Sequence, residues 1–177
     1  MPDRRVARTE AAAIGAFEAL LDEKGYASMT VQDILDAANV GRATFYAHFQ
    51  GKEGVMRAFV VAVIDHVAAP AAAEDGHDFT GRGGMEAQVE HALRHVLEHG
   101  HAIRALLMRG GADEFVHALR TAATSRLQEA ASDYEARFLA GALVETIVWW
   151  AETDFEQSPQ MLAASYAKSA RVVLEAR

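Results

Sequence analysis

The stretch Thr30–Phe49, TVQDILDAANVGRATFYAHF, restricts the fold of this chain more than any other. Thr30 followed three positions on by Asp33 resembles a capping box, with Asp in place of the usual Glu or Gln, and it opens a helix. Val31, Ile34, Leu35 and Ala38 then recur at i, i+3, i+4 and i+7, the stripe of a half-buried helix. Asn39-Val40-Gly41 breaks the stripe with Asn and Gly, residues that tolerate positive φ, so the chain turns there. A second short helix is predicted over Arg42–His48. A further one starts near Lys52, with Val55, Ala58, Phe59, Ala62 and Val63 on one face.

The second short helix has the side-chain distribution of a groove reader. At helical spacing Phe45 and Phe49 define a buried face, and Ala43, Thr44 and Ala47 lie opposite. Small exposed residues let a helix sink into the major groove, where Ala and Thr methyls meet thymine methyls and a Thr hydroxyl reaches base edges. Tyr46 and His48 flank that face, where the phosphate walls would stand. Arg42 is long enough for a base or a phosphate, and Lys52 adds positive charge at the start of the next helix. The competing reading of Phe45, Tyr46 and Phe49 is an aromatic-rich core helix with no ligand.

The segment from about Arg8 to His66 resembles the N-terminal domain of the tetracycline-repressor-like (TetR) transcriptional regulators. The resemblance rests on Lys24-Gly25-Tyr26, Thr30-Val31-Gln32-Asp33-Ile34, Ala37-Ala38-Asn39-Val40, Thr44-Phe45-Tyr46-Ala47-His48-Phe49 and Lys52-Glu53. It implies that Arg42, Ala43 and Thr44 face bases, and that Thr30, Tyr46, His48 and Lys52 hold phosphates. Ala47 joins them from the helix geometry above. Two departures stand out: Asn39 where Gly is common in the turn, and Gly41 where Ser or Thr usually caps the reading helix. Gly caps only a few tenths of a kcal/mol less well. Gly51 and Gly54 soften the next helix in the same way, so a somewhat looser motif is expected.

Outside the motif the chain reads as all-α, with about nine helices: a three-helix helix-turn-helix domain over 1–66 and a helical bundle over 67–177. Helical periodicity is expected over Arg8–Lys24, Met85–Gly100, Ala102–Arg109, Asp113–Ala130, Asp133–Thr153 and Pro159–Glu175, the last with Ser158 as N-cap and Pro159 in first position. Ala68–Gly84 reads as a loop or frayed helix end, rich in Ala, Gly and acid. With no cysteine, disulfides, Cys-based zinc sites and thiol chemistry are excluded, and no cofactor is expected. The N-terminus lacks a signal-peptide pattern, and the apolar run Phe138–Ala151, interrupted by Glu145, is too short to span a bilayer. A soluble, cytoplasmic chain without a membrane partner is expected.

The formal net charge of −8 argues against unspecific coating of nucleic acid. It leaves site-specific binding open, because charges beyond about 10 Å are screened. Residues 1–66 carry seven basic and nine acidic side chains, residues 67–177 ten and sixteen. The acid therefore lies mainly outside the motif.

In the second half, Leu139, Ala142, Leu143, Ile147 and Trp150 form one stripe, while Val144, Val148 and Trp149 lie on other faces. A helix apolar nearly all round must be buried all round, and a second copy of the chain is the expected cover. Leu162, Tyr166, Ala170 and Val173 are the matching stripe of the last helix. A twofold dimer of this kind would place two reading helices on a pseudo-palindromic operator, roughly 34–36 Å apart. The resemblance also implies an apolar effector cavity, for which Phe79, Met85, Met108, Phe115, Phe138 and Trp149 are the candidates, each also suited to ordinary core.

His91, His95 and His99 lie at i, i+4 and i+8. The outer two are about 12 Å apart along a helix, too far to share one ion at about 2.1 Å per bond. No metal site is expected, and His91 and His95 should point mainly to solvent. A pH or metal sensor is the alternative for this row. No nucleophile elbow, phosphate-cradling Gly loop or H-E-x-x-H occurs, so an enzyme is not expected. The expected function is a sequence-specific DNA-binding regulator, a repressor released by a small molecule. The alternative is an all-helical dimeric interaction module with lost or weakened DNA binding.

Overall fold

The computed structural model describes residues 4–68, 84–128 and 131–175, and every element among them is a helix. In chain order these are α1 (Arg4–Lys24), α2 (Val31–Ala38), α3 (Arg42–His48), α4 (Gly51–Ala68), α5 (Gly84–Glu98), α6 (Gly100–Met108), α7 (Ala112–Leu127), α8 (Asp133–Glu152) and α9 (Pro159–Glu175). Helix α1 begins earlier than the periodicity from Arg8 suggests. The segment 69–83, with most of the expected loop and Phe79, lies outside the described residues, as does Ala130. No described helix is long and apolar enough to cross a membrane.

The chain packs as two compact units, Met1–Val60 with His101–Val116 and Val61–Gly100 with His117–Arg177. In the first, Phe17, Leu21, Ile34, Phe45, Val55 and Phe59 are almost wholly buried together with Ile103, Leu106 and Phe115. Phe17 meets Tyr26 edge-on at 6.2 Å and Phe59 at 6.1 Å.

A set of polar and close contacts explains why α6 belongs with the N-terminal helices. Helix α1 ends at Gly25 in the left-handed region (φ 72°), and its last carbonyls lack intrahelical donors. Arg109 adds a donor there: its Nη1 donates to Asp22 O at 2.8 Å and to Leu21 O at 3.2 Å, the latter also accepting from Gly25 N at 3.0 Å. Its own carbonyl accepts from Ala27 N at 3.2 Å. A Cβ at Gly25 would stand 2.8 Å from Arg109 Nε, so both the backbone angle and the guanidinium require glycine there.

The second unit contains α5, α8, α9 and most of α7, with α9 packed on α5 and on α8. Ala163, Ala167 and Ala170 of α9 are all but fully buried, as are Ala136, Ala140 and Ala151 of α8, so small side chains let the helices approach closely. Tyr166 Oη donates to Leu139 O at 2.9 Å, and burial pushes its pKa up to about 12. Trp150 is fully buried, donates Nε1–H to Gln157 O at 2.9 Å and takes the Phe155 ring edge-on at 5.0 Å. Helix α8 opens with a reciprocal Ser132/Glu135 capping box. Ser158 Oγ accepts from Met161 N at 3.3 Å at the start of α9, as its Ser-Pro signal predicts.

Candidate nucleic-acid interface

Helices α2 and α3 with their turn form the expected motif. Thr30 N–H and Oγ1–H donate to Asp33 Oδ2 at 2.8 and 2.7 Å, and Thr30 Oγ1 accepts from Asp33 N at 3.2 Å. The Lys24 ammonium, 2.6 Å from Asp33 Oδ1, joins the Thr30 donors in lowering the Asp33 pKa to about 2. Asn39 takes the left-handed conformation (φ 52°, ψ 46°) that ends α2, so Asn performs the task usually given to Gly. Gly41 caps α3 with extended backbone and no side-chain hydrogen bond.

Phe45 and Phe49 are buried at 0% and 5% exposure, with ring centroids 5.3 Å apart. Arg42, Ala43, Thr44, Tyr46 and Ala47 are exposed. Tyr46 stands edge-on against Phe45 at 5.4 Å. His48 is half-buried, its Nδ1 3.6 Å from Glu10 Oε1 on α1. Thr30, although exposed, spends its hydroxyl on the cap.

Lys52 is placed differently from a free surface ammonium. Its Nζ donates to Tyr26 O at 2.8 Å and Met29 O at 3.0 Å, and lies 4.3 Å from the Tyr26 ring centroid. It therefore pins α4 to the α1–α2 loop. Burial first, then the nearby carboxylates of Glu53 and Glu114, pushes the Tyr26 pKa up to about 12. Two further side chains, Gln32 and Asp36, join the exposed face: Arg42 Nη2 donates to Gln32 Oε1 at 2.7 Å, and Gln32 Nε2 donates to Asp36 Oδ1 at 2.8 Å. Their i, i+4 spacing on α2 was visible in the sequence, but the link to Arg42 crosses a turn and was not.

The residues expected at a dimer interface divide sharply. Leu139, Ile147, Trp150, Leu162, Tyr166 and Ala170 are buried within the single chain, Leu143 and Val173 are half-buried, and only Ala142 is exposed. A side chain already removed from water has no surface to offer a partner, so the six buried members of the stripe serve the unit's own core, while Leu143, Val173 and Ala142 keep exposed surface. The expected effector residues are distributed over both units. Phe115 is buried in the first unit and Met108 of that unit is 52% exposed, whereas Phe138 and Trp149 stand 50% and 43% exposed on α8. Met85 on α5 is half-buried.

His91 and His95 meet edge-on at 4.7 Å, and His95 Nδ1 lies 2.8 Å from Glu98 Oε2 with its side chain only 15% exposed. The row is thus less solvated than a polar face implies. Among the described residues no group of three potential ligands could hold a metal ion.

A capped helix, an Asn turn and a small-residue helix raised on buried aromatics define the helix-turn-helix class of DNA-binding proteins. The family model for bacterial regulatory proteins of the tetR family matches residues 14–59. The chain is 39% identical over 70 residues to the uncharacterized HTH-type transcriptional regulator YxbF of Bacillus subtilis, a match covering 37% of this chain and 18% of that protein. A TetR transcriptional regulator from Streptococcus agalactiae shares its fold with a TM-score of 0.59 and 28% identity, over 95% of this chain and 96% of that one. The dihydroxyacetone kinase operon activator DhaS superposes with a TM-score of 0.66 at 16% identity, over 94% and 96%. NalD, the secondary repressor of the MexAB-OprM multidrug efflux pump in Pseudomonas aeruginosa, gives 0.56 at 18% identity, over 94% and 96%. Residues 14–59 are thus similar to the DNA-binding domain of tetR-family regulators, and the fold of the whole chain is similar to that of a TetR transcriptional regulator.

Proposed function

We propose that this regulator is a cytoplasmic homodimeric repressor that inserts α3 into the major groove of a pseudo-palindromic operator and is released by a small-molecule effector. The observation that carries the DNA half of this reading is the exposed face of α3, where Arg42, Ala43, Thr44 and Ala47 stand clear while Phe45 and Phe49 anchor the helix. Ala43, Thr44 and Ala47 are assigned to base edges, Tyr46 and His48 to phosphates. Thr30 and Lys52 act first through the cap and the loop pin, with phosphate contact as a second role.

For the dimer, the exposed face of α8 and α9 joins Ala142, Leu143 and Val173, the members of the expected stripe that keep exposed surface. Tyr134, Phe138, Ala142 and Trp149 follow one another along α8, and Met161 and Val172 are the exposed large apolar residues of α9. Gly141, where an added Cβ would meet nothing, leaves room on the same face. A run of exposed aromatics of this kind is the composition of an interface core. The functional division is drawn at about residue 66, with DNA binding before it and dimerisation and effector binding after it. Repression follows from occupancy, since a dimer seated across a promoter excludes polymerase.

An effector would act by favouring a state whose reading helices no longer match the operator spacing, and linkage requires DNA to weaken effector binding by the same factor. Footprinting of the DNA beside the protein's own gene, across a salt series, tests the core of this reading. A protected twofold site whose affinity falls steeply with salt is expected; no protection at low salt would refute it.

A further inference from the structure

We propose that Gln32 and Asp36 are positioning residues that hold the Arg42 guanidinium ready to read a guanine in each operator half-site. The inference rests on the DNA-binding reading and adds to it a specificity device on α2.

Arg42 is the first residue of α3, and Gly41 before it offers no side chain to hold it. Its partner comes instead from α2, where Gln32 Oε1 accepts from Arg42 Nη2 at 2.7 Å. Asp36, one helical turn beyond Gln32, accepts from Gln32 Nε2 at 2.8 Å. The order of these bonds is fixed by chemistry. An ionised carboxylate only accepts, so the amide must turn its NH2 to Asp36, which leaves its oxygen for the guanidinium. Asp36 thereby sets the orientation of Gln32, and Gln32 sets the direction of Arg42.

Among the described residues, one of the five guanidinium N–H groups is taken, by Gln32. The others remain free for a two-point contact with O6 and N7 of guanine, the base whose major-groove edge presents two adjacent acceptors. A long side chain loses rotamer freedom when it reaches for a base. Holding it before DNA arrives removes part of that cost and sharpens discrimination. Gln32, Asp36 and Arg42 are all exposed, so their bonds add little to stability and are available to act at the DNA surface.

The test is selection from a random pool of duplex DNA with the full chain, followed by equilibrium binding to the selected site and its single-base variants. The wild type should enrich guanine at one symmetric position in each half-site. Arg42→Ala should lose that preference by about tenfold or more, and Gln32→Ala by roughly threefold to tenfold with the melting temperature unchanged. Asp36→Asn should act in the same direction more weakly. Gln32→Ala should have no effect on base preference when placed on Arg42→Ala, because both changes remove one interaction. Gln32→Glu, which keeps an acceptor for the guanidinium, should retain the guanine preference.

Arg42→Ala weakening all sequences equally and flattening the salt dependence would place Arg42 on a phosphate and overturn the proposal. A base preference that responds to Gln32→Ala in the Arg42→Ala background would show Gln32 reading DNA itself, with the same consequence. Either result leaves the regulator reading standing. A folded wild type that enriches no site at low salt would overturn both.

Discussion

Helix α3 exposes Ala43, Thr44 and Ala47 and buries Phe45 and Phe49, whereas α8 exposes Tyr134, Phe138 and Trp149 and buries Ala136, Ala140 and Ala151 among its larger core residues. Side-chain size is thus distributed in opposite senses. A helix that must enter a polar groove keeps bulk away from its outer face and uses rings only as anchors. A helix that must meet an apolar partner can leave its rings outside, provided that a partner covers them, because exposed aromatic area is what association removes from water. The two surfaces therefore predict different partners, and each can be damaged without touching the other.

The adjacent tryptophans give the strongest test of this contrast. Trp150 is fully buried with its indole N–H on Gln157 O, while Trp149 is 43% exposed. Trp150→Ala removes a packed ring and orphans a carbonyl, and should cost about 3–5 kcal/mol in urea unfolding. Trp149→Ala should leave unfolding of the subunit within about 0.5 kcal/mol but weaken dimerisation by about 2 kcal/mol, roughly thirtyfold in Kd by sedimentation. Unchanged association in Trp149→Ala would remove the exposed face of α8 from the interface.

Helix α3 should show the same separation of stability from binding. Phe45→Ala creates a cavity where exposure is 0%, and a loss of about 3–5 kcal/mol is expected. Ala47→Leu adds bulk only on the outer face. It should reduce operator affinity by about tenfold or more while leaving the denaturation midpoint within about 0.5 kcal/mol. An Ala47→Leu protein that binds its operator as wild type does would place the groove on another face.

The local scaffold of α2 offers a smaller, pH-dependent test. Thr30→Ala should cost about 1 kcal/mol through loss of the cap. The Asp33 carboxylate is held near pKa 2, below the ordinary 3.8, by the Lys24 ammonium and the Thr30 donors. A depressed carboxylate stabilises the fold above its unfolded pKa, and that stabilisation disappears as pH falls through the folded value. The gap in urea midpoint between wild type and Asp33→Asn should therefore be full at about pH 5 and close toward about pH 2. A gap that does not change with pH would mean that Asp33 acts by shape rather than charge.

The two regions also differ in how much of them could be read from residues alone. Around α3, local rules decide nearly everything: the cap, the Asn turn and the 3.6-residue period fix which side chains face out. Spacing alone left open where a long flexible side chain goes, and Lys52 proved to be tied to two loop carbonyls while Arg42 reached across a turn to Gln32. In α8 and α9 the apolar residues were recognisable, but α8 is apolar on several faces. Periodicity could not say which face meets the chain's own helices, and most of the stripe expected at a partner is buried within its own unit. The Ser132/Glu135 cap was legible as Ser-x-x-Glu. The Arg109 contacts to Leu21 and Asp22 join residues far apart in sequence and carried no local signal.

The smallest expected effect concerns Gly41, which caps α3 without a side-chain hydrogen bond. Its backbone is extended (φ −66°, ψ 143°), a conformation open to any residue, and an added Cβ would find only Thr44 Oγ1 at 4.0 Å. Neither strain nor crowding within the chain requires glycine. Serine there would supply an acceptor for the first free N–H groups of α3, and Gly41→Ser should stabilise the protein by a few tenths of a kcal/mol in thermal melts. Operator affinity should rise slightly, within about twofold, because a capped α3 loses less freedom on binding. If stability rises while affinity falls, the glycine serves the complex rather than the fold, by letting the start of α3 approach the DNA backbone more closely than a side chain permits.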